Sequence, residues 1–212
     1  MKKNNGKKIA VLLLALMLLV GGAIGGTLAW LIAQSNTVVN TFSVGNITIS
    51  LTETGTDDAG KNSSFKIVPG TTESKDPVVT IAGGSEDCWV FVQVTESNNI
   101  ARAADSTASP AVEELKYVQW EIDNTVWTAV PGTANVYYTK YTLQADDKEL
   151  NVLKGETVSY SNQLTKAMMD AVNTQPQLSF QAYAIQSENL TKDGNAVNSA
   201  ADAWAMIQAQ TP

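Results

Sequence analysis

The sequence predicts an all-β protein, a jelly-roll-like β-sandwich with two or three short peripheral helices. About ten short runs of alternating or β-branched residues are separated by glycine, asparagine and proline, and only two stretches have helical periodicity. The chain has 212 residues, enough to bury most of its apolar surface in one core. We therefore expect a single folded domain.

The chain begins with the pattern of a secretory signal peptide. Four lysines precede an unbroken apolar run at residues 9–20, and small residues follow that run. Thr27-Leu28-Ala29 offers the small side chains that a signal peptidase reads, so we expect cleavage after Ala29, with Ala33 as the alternative site. The domains expected are a signal peptide at 1–29 and one β-sandwich domain at 30–212.

A retained membrane helix is the competing interpretation of this region. No charged residue occurs between residues 9 and 52, and the stretch that ends at Ala33 is long enough to span a bilayer. The glycines within residues 21–26 disfavour a continuous helix. The signal peptide is favoured, which leaves the uncleaved signal as the one expected membrane contact.

Charge excludes one class of partner. All 21 acidic residues lie beyond the signal, whereas four of the 14 basic residues lie within it, so the mature chain carries a net charge of 10 minus 21, or −11. Phosphate backbones bind basic surfaces, so we expect no nucleic acid partner.

Histidine and cysteine usage argues against catalysis. The chain has no histidine, which excludes a Ser-His-Asp triad and the common zinc-protease motif. The lone Cys88 cannot form an internal disulfide, and its alternating surroundings predict a buried small hydrophobe. The acidic pairs Asp57-Asp58, Glu86-Asp87 and Asp146-Asp147 lack calcium-loop spacing and are assigned to surface or turns. We expect no enzymatic activity, no metal and no cofactor.

The strands begin soon after the predicted cleavage site. "ITISL" places Ile47, Ile49 and Leu51 on one face, while "NTFSV" has the opposite parity, so Gly45-Asn46 is expected to form a bulge or tight turn. "FKIVPG" and "DPVVTIAGG" predict two further short strands. "CWVFVQV" has apolar residues on both faces, which predicts a central strand covered on both sides.

A polar stretch interrupts the strands. Residues 95–114 lack strand character and predict a surface excursion, in which Ser109-Pro110 could start a helical turn. "YVQWEI" and "TVWTAV" then flank Asp123-Asn124, which favours a hairpin with Trp120 and Trp127 facing each other. "VYYTKYTL" follows. These aromatics are interpreted as packing residues, with a sugar-binding platform as the alternative.

The last third contains one strand between two helices. "SNQLTKAMMDAV" predicts a helix capped by Ser161 or Asn162. "PQLSFQAYAIQ" alternates cleanly and predicts a core strand. "SAADAWAMIQAQ" starts with Ser199 and Asp202 in a box-like arrangement, and its apolar stripe predicts a helix packed on the sandwich.

Several blocks together resemble one known family. "GGTLAW", "NTFSVGNITISLTE", "IVPGTTESKDPVVTIAGGSEDCWVFVQV", "YVQWEIDNTVWTAV" and "AADAWAMI" occur in an order similar to that of the TasA/camelysin family. The resemblance implies a jelly-roll subunit of an extracellular matrix or cell-surface fibre, secreted by a Gram-positive-type bacterium through the dedicated signal peptidase SipW. It also implies self-assembly, in which a freed N-terminal strand inserts into the next subunit.

The residues themselves are compatible with that assembly. An uncharged, β-prone segment follows the cleavage site, and residues 30–40 form the candidate donor strand. The same segment could instead pair inside its own sheet, and both alternatives stay open for residues 30–40, whereas internal pairing is expected for 41–52. The candidate assembly residues are Trp30, Leu31, Ile32, Val38 and Val39.

Two other functions remain as alternatives. The aromatic residues are compatible with a carbohydrate-binding or adhesion module that recognises a polysaccharide. Resemblance to camelysin implies a surface metalloprotease, which is less favoured because zinc sites of that kind are usually built on histidine.

Overall fold

The computed structural model describes residues 32–35, 47–54, 66–192 and 194–210. All of these residues belong to one compact unit, which falls within Leu31–Pro212. The fold class predicted from the sequence, a jelly-roll-like β-sandwich with short helices, is confirmed. The predicted signal peptide, Ala29, Gly45-Asn46 and Asp57-Asp58 lie outside the described residues.

Fifteen strands and two α-helices are described. The strands are β1 (Ile32–Ser35), β2 (Ile49–Thr52), β3 (Thr72–Ser74), β4 (Val78–Ile81), β5 (Cys88–Ser97), β6 (Ile100–Arg102), β7 (Leu115–Lys116), β8 (Val118–Gln119), β9 (Thr128–Ala129), β10 (Val136–Tyr141), β11 (Lys148–Asn151), β12 (Thr157–Tyr160), β13 (Gln177–Gln186), β14 (Thr191–Lys192) and β15 (Asn195–Ala196). The helices are α1 (Lys166–Asp170) and α2 (Ala200–Gln210), and a 3-10 turn spans Lys154–Glu156.

Three antiparallel sheets build the sandwich. Sheet I has the order β1-β13-β5-β10-β9, sheet II the order β11-β4-β2, and sheet III the order β3-β12-β8. Side chains from all three meet in one hydrophobic cluster. As predicted, Ile47, Ile49 and Leu51 lie buried in this cluster along one face of their strand.

The centre of sheet I is the pairing of β5 with β13. The two strands run antiparallel over ten residues each, from Gln177 opposite Ser97 to Gln186 opposite Cys88. Residues 88–92 of β5 are all buried, which confirms the prediction of a central strand covered on both faces. The alternation of β13 is also confirmed, because Phe180, Ala182 and Ala184 belong to the interior cluster.

The second face of sheet I carries an aromatic cluster beneath α2, which we call the outer cluster. Trp204 of α2 lies 5.4 Å from Phe91 and 5.1 Å from Tyr183, measured between ring centroids. Tyr138 lies 5.5 Å from Trp89 and completes the cluster. The predicted stripe of Ala200, Trp204 and Ile207 is fully buried, so α2 closes this face of the sheet.

Hydrogen bonds at the helix starts agree with the sequence for α2 and correct it for α1. Ser199 Oγ accepts a bond from the Asp202 amide at 3.1 Å and donates one to the Asp202 carboxylate at 2.6 Å. Helix α1 starts later than predicted. Its cap is Thr165, whose hydroxyl accepts from the Met168 amide at 3.3 Å, and not Ser161 or Asn162.

The predicted surface excursion is partly strand. β6 pairs with β7, and Asp105 and Val112 exchange both backbone hydrogen bonds. No helical turn starts at Ser109-Pro110, because these residues lie at the tip of this hairpin-like arm. The strands of this arm are only two or three residues long and lie in a polar stretch, so they produce no run of alternation that the sequence could reveal.

The predicted hairpin around Asp123-Asn124 is wrong in its pairing. β8 joins β12 in sheet III, whereas β9 joins β10 in sheet I. Asp123 does form a turn, because its carbonyl accepts from the Trp127 amide at 2.9 Å. Trp127 is buried and donates its indole N–H to the Asn151 carbonyl at 2.8 Å, so it does not face Trp120.

Two of the predicted surface acids join loops at one end of the sandwich. Asp87 accepts from the Leu143 amide at 2.7 Å, and Asp147 accepts from the Gly83 amide at 2.8 Å. A Cβ on Gly83 would lie 2.1 Å from the Ala145 carbonyl oxygen, so only glycine permits this approach. These carboxylates therefore hold the β4–β5 and β10–β11 loops together.

Candidate assembly edge and ligand groove

Part of the predicted assembly segment forms one edge of sheet I. β1 pairs with β13 in antiparallel register, from Ile32 opposite Ile185 to Ser35 opposite Ala182. Within the described residues no strand pairs with the other side of β1. Edge strands expose a row of backbone hydrogen-bonding groups, which makes them exchangeable and open to further pairing.

The candidate residues divide between the described and undescribed parts of the chain. Ile32 and the alternative cleavage residue Ala33 lie in β1. The others lie outside the described residues: Ala29, Trp30, Leu31, Val38 and Val39. Of the two alternatives for residues 30–40, the single chain adopts internal pairing at 32–35. Internal pairing is also confirmed at 49–52, where β2 pairs with β4.

β1 fills a slot beside β13. On the opposite side of β13 every residue is already paired with β5, and β2 at the edge of sheet II contacts both β1 and β13. Ala182, Ala184 and Ile185 of β13, which lie opposite β1, have no exposed surface. Loss of β1 would leave the backbone groups on this side of β13 without their present partner.

A second feature is a groove of about 1080 Å³, which we call the Trp120 groove. Its aromatic wall consists of Trp120 and Tyr137, whose ring centroids lie 6.3 Å apart at an interplanar angle of 87°. Both rings are half-buried and pack against the interior cluster. The groove therefore lies where the sandwich core reaches solvent.

Glu96, at the end of β5, fixes this wall. Its carboxylate accepts a short hydrogen bond from the Trp120 indole N–H, and bonds from Lys116 Nζ at 2.8 Å and Asn99 Nδ2 at 3.2 Å. Burial alone would raise the pKa of Glu96, but the hydrogen bonds from Lys116, Trp120 and Asn99 lower it below its ordinary value. Glu96 therefore stays ionised and holds the indole in one orientation.

Sheet III contributes a row of neutral polar residues. Ser159 lies opposite Thr72 on one side and opposite Gln119 on the other, so the three occupy adjacent strands on one face. Thr157, two residues from Ser159, lies on the same face, and all four line the groove. Neighbouring strands are about 4.8 Å apart, which sets the spacing of this row.

The remaining charged residues of the groove are mostly paired. Lys154 Nζ lies 2.7 Å from the Glu121 carboxylate, and both side chains are exposed. The hydrogen bond between them lowers the pKa of Glu121 and raises the pKa of Lys154. Glu114 also lines the groove and forms no ion pair within the described part of the chain.

Cys88 is not part of either site. The thiol is fully buried, and burial together with the charge of Asp87 raises its pKa to about 12. A thiol with such a pKa is protonated at neutral pH and unreactive. The interpretation of Cys88 as a buried small hydrophobe is confirmed.

No group of three or more histidine, cysteine or acidic side chains is placed to hold a metal ion within the described ranges. In those same ranges no helix is long and apolar enough to cross a membrane.

Sequence reasoning missed most of the Trp120 groove. Its strand residues come from β3, β5, β7, β8, β10 and β12, which the sequence does not place together. The concentration of aromatics around Trp120 and Tyr137 was a signal, but the same composition is typical of core packing.

Comparisons of the chain with protein-family models, with curated proteins and with solved structures found no match.

Proposed function

We propose that this protein is a secreted structural subunit of an extracellular matrix or cell-surface fibre, which polymerises by exchanging its N-terminal strand. The observation that carries the proposal is the position of β1 at the edge of sheet I, next to a strand whose other side is fully paired. The β1 strand of a second subunit could therefore take the place of a subunit's own β1 beside β13, without disturbing any other described strand pairing.

Strand exchange has a small energetic cost, because the contacts between β1 and β13 within one chain are replaced by the same contacts between two chains. The four residue pairs of β1 and β13 would be broken within one chain and remade between two chains. Each backbone hydrogen bond contributes about 1 kcal/mol net in either arrangement. The equilibrium is then set by association entropy and by any additional burial of Trp30, Leu31 and Ile32 in the assembled form.

The sequence and the strand register support a specific time of strand release and a specific mode of subunit addition. Segment 30–40 is uncharged and follows the predicted cleavage site, so export and cleavage after Ala29 would release it outside the cell. In the present register, residues 32–40 of a donor would lie opposite 177–185 of β13. Addition of each subunit to the next by the same contact is heterologous and does not close, which produces a filament.

A reversible covalent lock tests the proposal. Ala33 and Ala184 are directly opposite, so the double variant Ala33→Cys/Ala184→Cys should form a disulfide that holds β1 in its own chain. We expect the mature protein, identified by intact mass, to form filaments in electron micrographs. The oxidised double variant should stay monomeric and should assemble after reduction.

Two controls accompany the lock. The single variant Ala184→Cys should assemble under both conditions, since the buried Cys88 offers no partner. A mature chain that lacks residues 30–40 should fold but not elongate, and a peptide of these residues should cap it while a scrambled peptide does not. Filaments from the oxidised double variant at the rate of the single variant, or none from the mature protein, would exclude strand exchange.

A further inference from the structure

The polar side chains that line the Trp120 groove are of two kinds. We call those that already form an ion pair or hydrogen bond within the protein committed, and those that form neither uncommitted. The charged residues are mostly committed, since Glu96 is paired with Lys116 and Glu121 with Lys154. The neutral hydroxyl and amide residues are uncommitted, because none of their side chains makes a hydrogen bond in the part of the chain that the structure describes. They are Thr72, Gln119, Asn124, Asn135, Tyr137, Thr157 and Ser159.

The uncommitted groups are complementary to a hydroxyl-rich ligand. Hydroxyl and amide groups both donate and accept, so they match a partner whose own groups do the same. Tyr137 keeps its proton at neutral pH, because burial and the nearby charge of Glu96 raise its pKa. The row of Thr72, Ser159 and Gln119 repeats at the strand spacing of about 4.8 Å, close to the width of one sugar ring.

The aromatic wall supplies the apolar part of such a site. Trp120 is held by Glu96 through its N–H, so its orientation is fixed before any ligand arrives. The C–H face of a sugar ring packs against an aromatic ring of this kind while its hydroxyls reach polar neighbours. A groove of about 1080 Å³ is large enough for several linked sugar units, which is more than a monosaccharide would need.

From this geometry we propose that the Trp120 groove binds an uncharged oligosaccharide, with Trp120 as the stacking surface. Tyr137, Gln119 and Ser159 are its hydrogen-bonding residues. An anionic glycan is disfavoured, because it would meet the unpaired carboxylate of Glu114 and could recruit Lys116 or Lys154 only by breaking an ion pair. This site does not depend on strand exchange, since no described residue of β1 lines it.

A matched pair of variants tests the proposal. Tyr137→Phe removes one hydroxyl from the groove, whereas Tyr138→Phe removes one from the opposite side of the same strand, in the outer cluster. The probes are soluble neutral oligosaccharides of glucose and of N-acetylglucosamine, with alginate oligosaccharides as the anionic counterpart. Binding to the purified protein is measured by calorimetry and by tryptophan fluorescence.

We expect at least one neutral probe to bind at millimolar concentration or below, and alginate not to bind. Tyr137→Phe should weaken binding about fivefold, the equivalent of one neutral hydrogen bond, and Tyr138→Phe should leave it unchanged. Ser159→Ala, which removes one half-buried hydroxyl of the groove, should weaken binding to a similar extent. The proposal is overturned if no neutral probe binds, if alginate binds better, or if Tyr137→Phe and Tyr138→Phe are equivalent.

Discussion

The two aromatic groups of this protein have similar composition and opposite environments. Most of the outer cluster is buried beneath α2, and the indole N–H groups of Trp89 and Trp204 are buried there without a hydrogen-bond partner among the described residues. In the Trp120 groove the indole N–H is bonded to an ionised carboxylate, and the ring lies half-buried. The difference indicates that aromatic content marks packing in one place and an open surface in the other. The hydrogen bonding of the indole N–H groups distinguishes the two.

The largest expected effect comes from removing an aromatic ring from each group. Trp204→Ala should lower the free energy of unfolding by about 3–5 kcal/mol, because it leaves a cavity between α2 and sheet I. Trp120→Ala should cost less, about 1–3 kcal/mol, since its ring is only half-buried and it loses one hydrogen bond to Glu96. Urea unfolding of both variants measures the difference, and equal or reversed losses would contradict the assignment of the outer cluster to the core.

A smaller effect should follow from neutralising Glu96, which has no counterpart in the outer cluster. Glu96→Gln should lower the free energy of unfolding by about 1–2 kcal/mol at neutral pH, because the carboxylate accepts from three donors. The pKa of Glu96 is lowered in the folded state, so its contribution is present above the ordinary value of 4.5. That contribution is lost as the pH falls from 4.5 through the folded pKa.

The pH dependence separates this effect from a purely steric one. Wild type and Glu96→Gln should therefore differ in stability at neutral pH and converge in acid, as followed by urea unfolding across the acidic range. The control Glu121→Gln, which breaks the exposed pair with Lys154, should change stability little at any pH. A constant difference between wild type and Glu96→Gln down to low pH would show that the charge of Glu96 is not what stabilises the fold.

The smallest effect concerns the rim of the outer cluster. Lys140 Nζ lies 4.1 Å from the centroid of the Trp89 ring, so Lys140→Met should lower the free energy of unfolding by about 0.5–1 kcal/mol. Lys148→Met is the matched control, because this exposed lysine of β11 has no ion pair or ring contact in the described part of the chain. Identical melting temperatures for the two variants would show that the cation–π contact contributes nothing measurable.

The sequence predicted secondary-structure elements correctly where the periodicity of apolar residues matches their burial. The alternation of β13 predicts a core strand and the stripe of α2 predicts one buried helix face, and both predictions are confirmed, although residues 182–185 of β13 are buried on both faces. Periodicity does not specify the partner of a strand. The runs around Trp120 and Trp127 are β-rich and flank a turn, but their partners β12 and β10 lie in different sheets. The Trp120 groove could not be predicted for the same reason, since it depends on which strands become neighbours.

The pairing of β5 with β13 has a consequence for the time course of folding. Ser97 and Gln177 are 80 residues apart in the chain, yet they meet at one end of the central ladder. Contacts between such distant residues must overcome a large loop-closure entropy, so they form slowly and late. The centre of sheet I cannot be completed until β13 is available, and a chain emerging in order from its N-terminus would expose its apolar β5 strand until then. We therefore expect this protein to fold after its full length is available, and not segment by segment.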